Sequence, residues 1–195
     1  MRSVRRHPGP VFFAALLFAV LAAGATAQDE AGSGGRLEIR NAFVELTDGV
    51  WRLDVRLDLA LADAARQAFA EGVPLVFELE IEGSVERRYL PDETVVALTR
   101  RWKLTHDAIS ERYVVTDAAS GEHASHASEA DAIEALARIS GIEVADPDTL
   151  PADGRFDMRV RASIEIGDLP AAIRILLFWK GWSRSTDWYA WSVRP

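Results

Sequence analysis

Aromatic rings and cations crowd the last part of the chain. Trp179, Trp182, Trp188 and Trp191 are four of its six tryptophans, and they share fourteen residues with Phe178 and Tyr189. Arg174, Lys180 and Arg184 lie among or just before them. A broad amphipathic ring beside a cation suits stacking on a sugar face, seating at a lipid interface or anchoring a partner protein. The competing use is structural: residues 188–193 read as a closing strand whose tryptophans cap the core, where Trp is mostly found. Trp179 and Trp182 flank the turn signal Lys180-Gly181 and are the better exposed pair. The candidate binding residues are Trp179, Lys180, Trp182, Arg184, Trp188 and Trp191.

Three other sets have residue types that do chemistry. His123 and His126, with Glu122 and Glu129 beside them, offer metal-ligand atoms. No third ligand stands at a recognisable spacing, so they read as a solvated loop leading into a helix. His106, Asp107 and Ser110 are the types of a hydrolase triad, but they are nearly adjacent, whereas triads gather from distant segments. A hairpin turn explains them better, and no Gly-x-Ser-x-Gly elbow is present. Glu78, Glu80 and Glu82 form one face of a strand. Paired carboxylates serve glycoside chemistry, yet a row of acids on an exposed face is ordinarily a solvated surface. Glu86 adds to that row, and Arg87-Arg88 balance it locally. The sequence therefore offers no coherent catalytic set, no metal site and no cofactor motif. Gly32-Ser33-Gly34-Gly35 has no preceding strand and no Lys-Ser/Thr ending, so it is not a phosphate loop.

The first 27 residues say where these side chains would work. Arg2, Arg5 and Arg6 precede an uncharged apolar run at 11–23, and Ala25-Thr26-Ala27 follows with small residues. Charge, apolar run and small residues in that order make a secretory signal, cleaved after Ala27. The run is short of the roughly 20 residues a membrane span needs. His7 and Pro8 fit a twin-arginine motif poorly, so ordinary export is expected. The mature protein is expected to be periplasmic or secreted, with no transmembrane segment after cleavage. Its remaining 168 residues make one domain, enough to bury a sizeable core. The chain has no cysteine, so packing replaces disulfides and thiolate metal sites in an oxidising compartment.

The whole chain carries a net charge of −8, and losing the three signal arginines makes the mature part −11. That balance excludes a nucleic-acid partner, which needs clustered cations. From residue 168 onward, Arg174, Lys180, Arg184 and Arg194 face only Asp168 and Asp187, so residues 28–167 carry −13. The aromatic block is thus a basic patch on an acidic domain.

The elements that must position these residues are mostly strands. Residues 28–35 form a flexible lead. Residues 36–46 alternate loosely, with Leu37, Ile39 and Phe43 on one side. Thr47-Asp48-Gly49 turns the chain, and Trp51, Leu53, Val55, Leu57 and Leu59 alternate strictly with charged residues, so the two runs pair as a hairpin. Helical spacing of Leu61, Ala65, Ala68 and Phe69 predicts a helix over 62–71, ended by Gly72 and Pro74. Leu75, Phe77, Leu79 and Ile81 mark the next strand, with a bulge expected at Gly83-Ser84 and strand continuing to Leu90. Pro91-Asp92-Glu93 leads to a strand marked by Val96, Leu98, Trp102 and Leu104. Asp107-Ala108 closes a hairpin onto residues 109–116. Residues 117–127 read as a polar connection. Ser128 and Asp131 resemble a capping box for a second helix that runs through Arg138-Ile139 to Gly141. Ile142 and Val144 give at most a short strand, and 146–154 a loop. Phe156, Met158, Val160, Ala162, Ile164 and Ile166 alternate most cleanly of all. Asp168 and Pro170 suit the start of a short third helix. The expected fold is mainly β, an antiparallel curved sheet or β-sandwich with two or three short helices, with α+β as the alternative class.

Several ordered motifs together resemble a known family. They are Gly72-Val73-Pro74-Leu75, Phe77-x-Leu79-x-Ile81, Arg101-Trp102-x-Leu104 and Ser110-Glu111-Arg112-Tyr113-Val114-Val115. Glu134-Ala135-Leu136, Asp168-Leu169-Pro170 and Ser185-Thr186-Asp187-Trp188-Tyr189-x-Trp191 complete the set. The chain resembles the exported bacterial family called domain of unknown function 4390. The resemblance implies a Gram-negative envelope protein, often encoded beside a membrane sensor histidine kinase, and it carries over no catalytic residue.

The leading functional expectation is a non-enzymatic periplasmic binding or accessory module for a membrane or periplasmic protein. The alternatives are an envelope hydrolase using carboxylates gathered by folding, and a lipid-binding half-barrel, which would need an apolar cavity.

Overall fold

Period-two alternation dominates the chain, and the fold follows it. The computed structural model describes residues 35–87, 89, 91–150, 155–167 and 183–194. The signal segment, residues 28–34, Arg88, Leu90, the helix expected after Asp168, and Trp179, Lys180 and Trp182 lie outside the described residues.

β1 (Arg36–Thr47) and β2 (Val50–Ala60) form the expected hairpin. Asp48 and Gly49 turn with φ of 53° and 74°, the doubly positive turn whose twist suits paired strands. One expectation fails here. Leu37 and Ile39 lie opposite Leu59 and Leu57, but Arg40 is an extra residue, so Asn41 falls opposite Arg56. That bulge reverses the parity of the strand. Ala42 and Val44 then face the core, and Phe43 turns outward, 42% exposed.

α1 (Asp63–Ala70) buries Ala65, Ala68 and Phe69. It ends in the paired bonds of a Schellman cap. The Val73 N–H donates to the Ala68 carbonyl and the Gly72 N–H to that of Phe69, both at 3.0 Å. Gly72 takes φ 85°, a left-handed conformation that glycine adopts without strain.

β3 (Leu75–Val85) lies between β4 (Glu93–Asp107) and β8 (Phe156–Ile166), antiparallel to both. The expected bulge near Gly83 is present, but its extra residue is Val95 of β4: Gly83 lies opposite Val96 and Ser84 opposite Thr94. β3 ends at Val85 rather than Leu90. The hairpin after Asp107 resumes only at β5 (Arg112–Asp117), leaving Ile109 on the turn, 99% exposed. The connection expected at 117–127 contains β6 (His123–His126), paired with β5.

Ser128 caps α2 (Glu129–Ala137), its hydroxyl accepting from the Asp131 N–H at 3.1 Å. The helix stops at Ala137. Arg138 and Ile139, read from sequence as helical, open β7 (Arg138–Ala145), which pairs with β2. Ile139 continues the helical apolar period, so sequence alone favoured the helix; in the fold it lies opposite Val55 in the sheet instead. β9 (Ser183–Ser185) and β10 (Tyr189–Val193) pair with β8.

Two antiparallel sheets result, ordered β1-β2-β7 and β10-β8-β3-β4-β5-β6 with β9 beside β8, and neither closes into a barrel. The fold is mainly β with two short helices among the described residues. The inner faces of both sheets share one core. Trp51 of β2 meets Phe156 of β8 edge-on, with centroids 5.1 Å apart. Its indole N–H donates to the Leu150 carbonyl at 2.8 Å. Leu75, Phe77, Leu79 and Ile81 of β3 are at most 1% exposed. Each contributes roughly 1.5–3 kcal/mol through burial.

Candidate functional site

The outer face of β3 presents Glu78, Glu80 and Glu82, and the strands on either side supply cations. Arg161 of β8 grips Glu80, with Nη2 2.8 Å from each carboxylate oxygen. Arg159 binds Glu82 through Nε at 2.8 Å, and Arg101 of β4 binds Glu78. The acid row is therefore paired across strands rather than balanced by its sequence neighbours. Arg87 instead pairs with Glu93, at the start of β4.

Trp188 completes this face. Its ring lies 4.6 Å from the Arg159 guanidinium carbon and 4.8 Å from that of Arg161, so one ring serves two cations whose charges are also held by carboxylates. Trp191 lies three residues further on, within β10, and turns the other way. It pairs with buried Met158, contacts Tyr189 at 5.8 Å between centroids, and packs against the core. Arg184 donates to the Gly35 carbonyl. A groove of about 400 Å³ runs between Leu37, Glu38 and Ile39 of β1 and Arg184, Thr186 and Trp188. Of the six candidate residues, the fold thus brings Arg184 and Trp188 to one groove and places Trp191 behind it. Sequence reasoning missed Arg159 and Arg161, although both occupy the polar parity of the cleanest strand.

The other candidate sets take structural roles. Asp107 Oδ1 accepts from the Ile109 N–H at 2.9 Å and the Ser110 N–H at 3.3 Å. These bonds, the Ile109 bond foremost, hold its carboxyl below the usual aspartate range. It is a turn cap. His106 stacks on Tyr113 with centroids 4.7 Å apart. His123 and His126 stand on a strand, where residues three apart point to opposite faces. His126 lies opposite Tyr113 and His123 opposite Thr116, so the two cannot share an ion. Among the described residues no group of three metal-ligating side chains gathers.

Register reveals a second polar feature. Val96, Leu98, Trp102 and Leu104 of β4 lie opposite the buried row of β3, and Arg100 falls on the same row, opposite Leu79. Its Nη2 reaches Asp117 Oδ2 at 2.7 Å. Burial pushes the Asp117 carboxyl up, but the Ala119 N–H, Arg100 and the Ser120 N–H together hold it below the ordinary value. A cation inside an apolar parity is a signal that sequence alone carries.

No helix among the described residues is long and apolar enough to cross a membrane. No curated protein and no solved structure matches the chain. The family model described as Domain of unknown function (DUF4390) matches residues 35–192, nearly all of the chain beyond its first segment, and the chain belongs to that family.

Proposed function

We propose that this protein is an exported, non-enzymatic binding module of the bacterial envelope that docks on a membrane protein through its Trp188 face. The observation that carries the reading is the half-buried Trp188 ring with two guanidinium groups against it, on a chain of net negative charge. Trp and Arg are the residues most enriched where protein partners bind tightly. Here the Arg side chains are preordered by Glu80 and Glu82, which lowers the entropy lost on docking. Trp179, Lys180 and Trp182, close in sequence to Arg184 and Trp188, remain candidate binding residues in this proposal. The secretory pattern of residues 1–27 supports a periplasmic or secreted location. The family resemblance implies a protein often encoded beside a membrane sensor histidine kinase, which makes such a kinase's external domain the partner class to test. Glu78, Glu80 and Glu82 are each committed to an arginine, which leaves the paired-carboxylate hydrolase without its acids on that face.

A photoreactive residue at Ala190, which is exposed next to Arg159 on this face, tests the proposal in intact native cells, with Ile109 as the distant control. One membrane protein should be captured from position 190 and not from 109. Trp188→Ala should cut that capture at least about tenfold, a loss typical of an interface anchor. Equal capture from both positions, or capture indifferent to Trp188→Ala, overturns the docking face. Recovery of the protein in the cytosolic fraction overturns the export.

A further inference from the structure

Three described side chains hold a buried nitrogen without a hydrogen-bond partner: Arg52, Arg100 and His126. Two of them, Arg100 and His126, line the same cavity. It lies between the inner face of β4, β5 and β6 on one side and α2 with the start of β7 on the other, and encloses about 330 Å³. That is the lower end of the range for small-molecule sites. Val115, Leu136, Ile139 and Ile142 give it apolar walls, and Trp102 stands at its edge. A wider, shallower basin of about 700 Å³ adjoins it, sharing Trp102, Val115, Asp117 and Ala124.

The polar groups are not scattered. Arg100 and Asp117 stand at one end, joined at 2.7 Å. His126 stands towards the other. Asp117 lies opposite Trp102, whereas His126 lies opposite Tyr113, four residues back along β5. At about 3.3 Å per residue the two rungs are roughly 13 Å apart. The space is therefore a trench with the Arg100–Asp117 pair at one end and a ring nitrogen at the other, hydrocarbon along most of its walls, and Ser140 and Arg138, the latter paired with Glu134, on the β7 side.

Arg100 keeps 28% of its side chain exposed, so its charge stays in touch with water and the cost falls on its buried Nε, since a buried donor without a partner is expensive. Asp117 supplies a partner for the charge, but Arg100 Nε has none, and neither has His126 Nε2. Both nitrogens are closed off from solvent while the rest of each side chain borders the cavity. A small side-chain rotation, of the kind common on ligand binding, would turn each nitrogen into the trench, where an acceptor relieves the cost once the imidazole carries its proton on Nε2.

From this arrangement we infer a ligand site for a linear, medium-chain carboxylate with a second hydrogen-bond acceptor at its far end. The carboxylate takes the Arg100 fork beside Asp117, the chain lies along Val115, Leu136 and Ile139, and the far acceptor meets His126. Asp117 already balances much of the Arg100 charge, which favours a singly charged head over a phosphate. This site is separate from the Trp188 face and does not depend on it.

Azelate, octanoate and octanol are the probes. Each is titrated into the ¹⁵N-labelled protein, following the Arg100 Nε–H signal and the amides of β4, β6 and α2. Azelate should bind saturably and shift the Arg100 signal, at least about tenfold more tightly than octanol, with octanoate between them. His126→Leu should bring azelate to the octanoate level, and His126→Gln, which keeps a donor, should restore it. Arg100→Lys keeps the charge beside Asp117 but removes the fork, and should weaken azelate and octanoate about tenfold without moving octanol. If Arg100→Lys does not fold, the probe ranking and the His126 pair still decide. Equal affinities for azelate and octanol, no saturable shift by about 10 mM azelate, or a His126→Leu variant that binds azelate as well as the parent would overturn the inference.

Discussion

Asp117 shows how one side chain joins stability to a candidate site. Its carboxylate accepts from Arg100, from the Ala119 N–H at 2.7 Å and from the Ser120 N–H at 3.3 Å. Burial opposes ionisation, and these donors outweigh it, so the folded value lies below the unfolded one. A depressed carboxylate stabilises the fold above its unfolded pKa, near 3.9, and that contribution is lost as pH falls through the folded value. Asp117→Asn should cost about 1–2 kcal/mol at neutral pH. Urea titrations should find the gap between parent and variant flat above about pH 5 and closing below about pH 4. At this scale the sequence was half legible. The parity of Arg100 is visible in β4, but its partner is set by the hairpin register, and that depends on a four-residue turn at 108–111. The contact of Trp188 with Arg159 and Arg161 is hidden for the same reason: it joins the residue just before β10 to β8, nearly thirty positions earlier, through the pairing of those strands.

Elements with an unbroken pattern are legible almost to the residue, as β2, β8 and α1 show. Errors gathered where a single inserted residue or an abrupt change of period intervened. Arg40 reverses β1 and sends Phe43 outward. Register slips twice between β2 and β7, and the Gly141 N–H bonds Asp54 Oδ1 at 2.7 Å at one of them. Because α2 passes into β7 without a loop, no breaker residue marked the change. The start of α2 was legible through Ser128, whose hydroxyl meets the Asp131 N–H and carboxylate at 3.1 and 2.7 Å. Ser128→Ala should destabilise the protein by about 1 kcal/mol, and Ser128→Thr, which keeps the hydroxyl that both accepts and donates, should recover most of it. Denaturant midpoints at constant m-value would measure both.

Across the whole molecule, the three-stranded sheet is too small to bury its inner face alone, and it completes its core on the larger one. Trp51 is the main tie. Its bond to Leu150 spans 99 residues of chain, and its ring meets Phe156. Trp51→Leu should cost about 3 kcal/mol through lost packing and an orphaned carbonyl. Hydrogen exchange in β2 and in β3 should accelerate by the same factor, because the two sheets open together. A variant that loosens β2 alone would show two independent units. This tie is not legible in the sequence, since an alternating strand looks the same whichever sheet it faces. The bulge at Arg40 has a further consequence at this scale. Among the described residues β1 is the outermost strand of its sheet, twelve residues long, with one row of backbone donors and acceptors that no described strand pairs. A straight edge of that length would template strand addition and aggregation. The kink interrupts it near its middle, and Arg36, Glu38 and Arg40 line the interrupted stretch with charge. The irregularity that turns Phe43 outward is thus of the kind that blunts strand addition between crowded copies, and deleting Arg40 should make the protein more prone to aggregate in light-scattering measurements.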